Sequence, residues 1–274
     1  MLSRGLYAPL ISGALIFLYL SWDVDSSYSL YVIPFVLGLA VVYILSPQID
    51  WWWYQRRPPA LPAFVRELLN TRFPFYQQLG PADKERFRIR TALYMKSREF
   101  IPQGMPAVPP DLQGVIAATA VQLTFGQKDF LKDKFEHIVV YPHPFPSPQY
   151  PQHWHASEIY VEDGVIMFSA EQLLPSFLEP QRYFHIGLYE FARVYRQSLA
   201  GKGLPAFSES DWPGLEKVSG MSRGDIEKWV GLPFLEIAAV AVVFFMVFPA
   251  RFRTVFPLAY EGMVAALNLD FRHL

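Results

Sequence analysis

The chain opens with two long apolar runs. The first extends from Leu6 to Trp22 and contains only two serines, and the second, from Tyr28 to Pro47, contains no charged residue. Each run is long enough to cross a bilayer as a helix. Because Asp23 and Asp25 lie in the short gap between the runs, we predict an antiparallel transmembrane helical hairpin over residues 1–50.

Basic residues predict the orientation of this hairpin. Arg4 precedes the first run, and Arg56 and Arg57 follow the second. Since basic residues favour the cytoplasmic side of a membrane, we expect two spans in a bacterial inner membrane, with both termini and the main domain in the cytoplasm. A cleaved signal peptide is the competing interpretation of the first run, but no small-residue cleavage site stands out before the second run.

An aromatic cluster follows the second run and consists of Trp51, Trp52, Trp53 and Tyr54. Aromatic residues of this kind favour the headgroup level of a bilayer, and they also suit packing in a protein groove or against neighbouring membrane subunits. Three prolines between residues 58 and 62 then stiffen the chain. We predict an aromatic and proline-rich linker at the membrane interface over residues 51–62, and a cytoplasmic domain over residues 63–274.

A third apolar stretch extends from Gly231 to Ala250, between Pro233 and Pro249. It contains Glu236, and a lone carboxylate in lipid is costly. The uncharged part, Ile237 to Phe248, is too short to cross a bilayer. This pattern predicts a buried core helix rather than a third span.

The remaining sequence alternates helical and extended patterns. Helices are predicted at Pro81–Phe100, Leu112–Phe125 and Gln181–Leu199. A short strand is predicted at His137–Tyr141 and a β-hairpin at Glu158–Phe168, with Glu162-Asp163-Gly164 as its turn. The basic residues between 81 and 96 are expected to form a solvated helix face, or to lie near anionic headgroups. The pattern predicts an α-rich α+β domain with a small sheet.

Composition limits the chemistry. Hydrophobic residues make up 52% and charged residues 18% of the 274 residues, so part of the chain is expected in lipid. The net charge of -1 gives no basic field for nucleic acid. There is no cysteine, so a transition-metal site would have to use carboxylates or the six histidines, His137, His143, His153, His155, His185 and His273.

The order of several short motifs resembles one enzyme family. The motifs are Phe73-Pro74-Phe75-Tyr76, Val115-Ile116-Ala117-Ala118, Ile138-Val139-Val140-Tyr141-Pro142 and Gly164-Val165-Ile166-Met167-Phe168. Together they resemble the zinc-dependent peptidases typified by the Mlc titration factor, distant relatives of the anthrax lethal factor protease domain. The resemblance extends from about Phe73 to Asp270 and implies a zincin-like domain.

The resemblance also indicates where the family's zinc site would lie. The family has a His-Glu-Phe-Ala-His helix, whose two histidines bind zinc and whose glutamate activates water. Here Tyr189 stands at the first histidine, Glu190 at the glutamate and Arg193 at the second histidine. Glu236 matches the glutamate that is the family's third protein ligand.

Two of the three ligands implied by the resemblance are therefore replaced. A guanidinium cannot coordinate a metal, so we expect Arg193 to occupy the zinc position and to pair with Glu236, with Glu190 nearby. An alternative ligand set is His185, Tyr189 and Glu236, but a helical histidine is more often a packing residue. His143, His153 and His155 lie in or beside a proline-rich loop, where we expect solvent-facing or interfacial positions.

These observations predict a non-catalytic membrane-anchored pseudo-peptidase. It would serve as a structural or accessory subunit of a bacterial membrane protein complex, such as a respiratory or photosynthetic one. We expect no cofactor, no nucleic acid and no small-molecule substrate, with the lipid bilayer and integral membrane subunits as partners. The alternatives are an active metallopeptidase with atypical ligands and a membrane-tethered regulator that sequesters a transcription factor.

Overall fold

A computed structural model describes residues 2–131, 134–197, 203–232 and 234–271. Its contacts divide the chain into two compact units, residues 1–59 and 60–274. Leu199, the predicted end of one helix, lies outside the described residues, as do Pro233 and His273.

The first unit is a pair of antiparallel helices. Helix α1 covers Leu2–Asp23, a short 3-10 helix covers Ser26–Tyr31, and helix α2 covers Val32–Arg56. Both long helices are apolar and long enough to cross a membrane. Helix α2 continues through residues 51–56, which the sequence had placed in the linker.

Two contacts fix the pairing of these helices. Gly13 leaves room for the ring of Phe35, since a Cβ at Gly13 would lie 2.2 Å from that ring. At the other end of the pair, the backbone N–H and the hydroxyl of Ser3 donate to the two carboxylate oxygens of Asp50, at 2.9 and 2.8 Å. Asp50 thereby satisfies an N–H group in the first turn of α1 that has no partner within the helix.

The second unit is mainly helical. Its helices are α3 (Ala63–Arg72), α4 (Pro74–Gln78), α5 (Pro81–Ser97), α6 (Pro110–Thr124), α7 (Ala170–Leu178), α8 (Ile186–Gln197), α9 (Trp212–Ser219), α10 (Arg223–Val230), α11 (Ile237–Val247), α12 (Pro249–Val255) and α13 (Pro257–Leu267). Its strands are β1 (Glu99–Pro102), β2 (His137–Tyr141), β3 (Ser157–Tyr160) and β4 (Val165–Ser169). The predicted α+β class with a small sheet is confirmed.

The sheet has the order β1-β2-β4-β3. Strands β1, β2 and β4 are parallel, and β3 pairs with β4 in the antiparallel direction, as predicted for the hairpin. Gly164 has a positive φ of 63° in the turn that joins them, a conformation that glycine adopts without a Cβ penalty. The antiparallel β3 forms the edge beside α8.

The apolar stretch around α11 lies in the core. Residues 238–246 of this helix are all buried within the second unit, so the prediction of a core helix is confirmed. Helix α11 contacts α8, and α8 also contacts α6 and α7. Gly187 permits the last two contacts, because a Cβ there would meet Leu173 at 3.1 Å and Thr119 at 3.2 Å.

One prediction about polar residues was wrong, and a second one holds only in part. His155 is fully buried rather than solvent-facing, and its Nε2 lies 3.0 Å from Oε2 of buried Glu158. The basic face of α5 is only partly solvated, because Arg90 is half-buried and donates to the carbonyl of Phe125 at 2.8 Å. That bond satisfies a carbonyl just beyond the end of α6.

Candidate functional site: a charge cluster on helix α8

Helix α8 carries the residues that the sequence placed at the family's zinc site. Its residues 186–192 are all buried, because α6, α7, α11 and strand β3 surround it. Positions 189 and 193 are four residues apart and therefore lie on the same helix face. Glu236 directly precedes α11, the neighbour that contacts this helix.

Glu190 is the innermost member of the cluster. Its side chain is 0% exposed. The Ser157 hydroxyl on β3 donates to its Oε1 at 2.7 Å, and Nη1 of Arg193 donates to its Oε2 at 2.8 Å. A buried carboxylate needs partners of this kind, since an unpaired charge in the interior is costly. Both oxygens of Glu190 are therefore engaged.

Arg193 bridges two carboxylates. Besides Glu190, its Nε donates to Oε2 of Glu236 at 3.3 Å, and Arg196 forms a further ion pair with Glu236. The predicted Arg193–Glu236 pair is thus present, with Arg193 23% exposed and Glu236 39% exposed. Burial lowers the pKa of Arg193, but the charge and hydrogen bond of Glu190 together with the neighbouring tyrosines outweigh burial, so the pKa is raised. The guanidinium is held in its charged form.

Tyr189 has a different role from a metal ligand. Its hydroxyl accepts the backbone N–H of Glu236 at 2.9 Å, which ties α8 to the start of α11. Burial raises the pKa of Tyr189 well above its usual range, and the Glu190 carboxylate adds to the effect. At neutral pH the phenol is therefore protonated, and its oxygen is engaged as the acceptor of the Glu236 N–H.

These residues do not fit the zinc ion of the family. Structural and catalytic zinc sites use three or four nitrogen, oxygen or sulfur ligands with free lone pairs. In the described ranges, no group of three or more histidine, aspartate or glutamate residues could hold a metal ion. Where the second histidine would stand, Arg193 directs N–H donors at both carboxylates. A cation is already present there, and it is part of the protein.

The alternative ligand set is not assembled by the described contacts. His185 is buried, its Nδ1 accepts the backbone N–H of Leu188 at 3.3 Å, and its ring lies edge-on to Phe177. Burial lowers the pKa of His185 to about 3. Among the described residues, no side-chain hydrogen bond joins this imidazole to the Tyr189 hydroxyl or to Glu236, which fits a packing role.

The predicted interfacial aromatics occupy the last turns of α2. Trp52 is 46% exposed, whereas Trp51, Trp53 and Tyr54 are half-buried. The guanidinium of Arg56 lies over the Trp52 ring and that of Arg57 over the Trp53 ring.

Sequence reasoning missed two members of the charge cluster. Arg196 is three residues beyond Arg193, so the shared helix face was a signal that could have included it. Ser157 carries no such signal, because it reaches Glu190 only through the packing of β3 against α8, 33 positions away along the chain.

Comparison with known proteins places the chain in a peptidase family. A family described as glucose-regulated metallopeptidase M90 matches residues 49–206, which include Tyr189, Glu190 and Arg193. The match begins before Phe73 and ends before Glu236, so it is shifted relative to the resemblance found by motif.

A curated relative is an uncharacterized protein of Synechocystis sp. (strain PCC 6803), 27% identical over 115 residues. The match spans 42% of this chain and 42% of that protein. Because the family match covers more than half of the sequence, the chain belongs to the glucose-regulated metallopeptidase M90 family.

Proposed function

We propose that this chain is a non-catalytic, membrane-anchored member of its peptidase family. It acts as a structural or accessory subunit of a bacterial membrane protein complex. The observation that carries the proposal is the position of Arg193, whose guanidinium pairs with both Glu190 and Glu236. A guanidinium stays protonated and has no free lone pair to donate to a metal ion.

This arrangement lacks the groups that zinc-dependent peptide hydrolysis requires. Zinc hydrolysis needs a metal with an open coordination position, so that bound water becomes a nucleophile. Glu190 holds the position of the general base, yet its two oxygens accept from Ser157 and Arg193. Hydrogen bonds therefore already occupy both oxygens that would have to take a proton from water.

The same contacts suit a structural role. Ser157 links β3 to α8, and the Tyr189 hydroxyl and Arg193 link α8 to the segment before α11. Three separate parts of the second unit thus meet at one cluster. We infer that the cluster maintains a rigid domain, which presents its outer surface to a partner.

The hairpin supports the membrane part of the proposal. Helices α1 and α2 expose many large apolar side chains, among them Leu15, Tyr19, Leu37, Tyr43 and Ile44. Such a surface suits lipid or other membrane helices. The Trp51–Tyr54 cluster would then contact neighbouring subunits at the headgroup level.

The proposal is tested by purifying the tagged full chain from its native membrane in mild detergent. Bound metal and co-purifying proteins are measured on the same sample, for the wild type and for Trp51→Ala. We expect defined integral membrane partners without stoichiometric zinc, and a loss of these partners in Trp51→Ala. The matched control is Trp154→Ala, because Trp154 is an exposed tryptophan of the second unit.

Other outcomes select the alternatives. Capture of a soluble DNA-binding protein, with no membrane partner, would favour the sequestering regulator. One zinc per chain together with peptide cleavage would overturn the proposal in favour of an active peptidase.

A further inference from the structure

Two arginines at the end of α2 are held on aromatic rings. The guanidinium carbon of Arg56 lies 4.1 Å from the centre of the Trp52 ring, and that of Arg57 lies 4.5 Å from the centre of the Trp53 ring. The two pairs are consecutive, each with a spacing of four residues. Stacking on a ring fixes the plane of a guanidinium and leaves its N–H edge free for other acceptors.

These charges have no carboxylate partner among the described residues. No ion pair is present at Arg4, Arg56 or Arg57 within the part of the chain that the structure describes, and all three side chains are exposed. Asp50 is the nearest acidic residue in sequence to Arg56, and Ser3 occupies both of its oxygens. That contact also places Arg4, the next residue of α1, at the same end of the hairpin.

The position along α2 places these arginines near lipid phosphate. The uncharged run from Tyr28 to Pro47 has 20 residues, enough for the hydrocarbon core of about 30 Å. Helix α2 continues for nine residues after Pro47. At about 1.5 Å per residue, Trp52 then lies roughly 8 Å beyond the core and Arg56 roughly 14 Å beyond it, which spans the headgroup region.

We propose that Arg56 and Arg57 form a binding site for the phosphate of an anionic phospholipid, with Arg4 adding to the local positive charge. The inference rests on the membrane anchoring proposed above. Planar guanidinium groups bind phosphate oxygens through two parallel hydrogen bonds, which a lysine cannot do. The neutral or zwitterionic lipids of the same bilayer would bind more weakly, because their headgroups carry no net negative charge.

Native mass spectrometry of the detergent-purified full chain tests this site. The protein is titrated with phosphatidylglycerol or with phosphatidylcholine of the same acyl chains, and the retained lipid is counted. We expect the wild type to prefer phosphatidylglycerol. Arg56→Gln/Arg57→Gln should reduce this preference roughly 25-fold, about fivefold for each arginine, and leave phosphatidylcholine retention unchanged.

Two further variants separate a specific site from charge alone. Arg251→Gln/Arg253→Gln removes two exposed arginines that also lie over aromatic rings, at Phe248 and Tyr260, and it should keep the preference. Arg56→Lys/Arg57→Lys keeps the charge without the planar fork, and it should retain only part of the preference. Added inorganic phosphate distinguishes the ligand source, because a lipid site resists displacement by millimolar phosphate.

Each remaining outcome counts against a defined part of the account. Equal retention of the two lipids by the wild type would overturn the lipid site while leaving the anchor intact. The same holds if Arg56→Gln/Arg57→Gln and Arg251→Gln/Arg253→Gln lose equal amounts of the preference for phosphatidylglycerol. Displacement by inorganic phosphate would replace the lipid by free phosphate as the ligand. A chain that stays soluble without detergent and retains neither lipid would overturn the anchor itself.

Discussion

Two arginines of this protein each lie between two glutamates, but in different surroundings. Arg193 pairs with Glu190 and Glu236, and its side chain is 23% exposed beside a fully buried Glu190. Arg223 pairs with Glu209 and with Glu227, whose Oε1 lies 2.7 Å from Nε of the arginine. The side chain of Arg223 is 39% exposed, and that of Glu209 is 71% exposed.

One arginine and two glutamates therefore affect stability differently in the two places. Around Arg223, water solvates all the groups, and exposed ion pairs contribute little to stability. Around Arg193, a carboxylate with no access to water depends on the arginine for its counter-charge. Only the second arrangement neutralises a buried carboxylate while it joins separate elements.

Removal of the buried arginine is expected to have the largest effect. Arg193→Met keeps most of the side-chain length but leaves Glu190 buried with only Ser157 as a partner. The free energy of unfolding should fall by about 3–5 kcal/mol, the usual cost of breaking a buried pair. Urea denaturation of the full chain in detergent micelles measures this. An unchanged transition midpoint would mean that the cluster is not structural.

Acid pH should destabilise the surroundings of the buried cluster but not those of Arg223. The reason is a buried imidazole, which directly precedes helix α8. The pKa of folded His185 is lowered by burial to about 3, whereas an unfolded histidine titrates near 6.5. The unfolded state therefore binds more protons between these values, so stability is present above about pH 6.5 and is lost as pH falls.

The expected loss through His185 is about 2 kcal/mol between pH 6.5 and pH 5. His185→Gln has no titrating ring and can still accept the N–H of Leu188, so it should remove this part of the pH dependence. Denaturation curves of both proteins across this pH range provide the measurement. Parallel curves would show that the imidazole does not titrate as its burial implies.

Removal of the Ser157 hydroxyl on β3 should reduce stability by a smaller amount. Ser157→Ala removes one hydrogen bond to a charged acceptor, and Glu190 keeps its bond to Arg193. We expect a loss of about 1.5 kcal/mol in the free energy of unfolding, at the lower end for such bonds. Ser176→Ala is a control, because this buried serine donates only to a neutral carbonyl of its own helix.

The smallest loss of stability is expected at the exposed cluster of Arg223, Glu209 and Glu227. Arg223→Met breaks two solvent-exposed ion pairs, so its denaturation curve should nearly overlay that of the wild type. A loss as large as that in Arg193→Met would remove the distinction on which the comparison rests.

The sequence was most informative where a feature is local. Tyr189, Glu190 and Arg193 stand within five residues of one helix, so their spacing alone placed them together. The α11 helix was recognised as core rather than membrane, because Glu236 and the short uncharged run left too little length to cross a bilayer. The hairpin between β3 and β4 followed from alternating residues around a glycine turn.

Features that depend on tertiary packing were not predictable from the pattern. His155 follows a proline-rich loop and gives no sign of burial, yet it pairs with Glu158 inside the protein. The sequence pattern placed Arg90 on a solvated helix face, but its guanidinium donates to a carbonyl 35 residues away. In both cases, the partner is brought close by the fold and not by the spacing along one element.

The central claim is that an arginine has taken the place of the metal. It is tested most directly by zinc content, measured on the purified full chain after exposure to excess zinc and removal of unbound metal. The matched variant is Tyr189→His/Arg193→His, which restores a His-Glu-x-x-His helix beside Glu236. The account predicts no stoichiometric zinc in the wild type and about one zinc per chain in the variant. One zinc bound to the wild-type chain would contradict it.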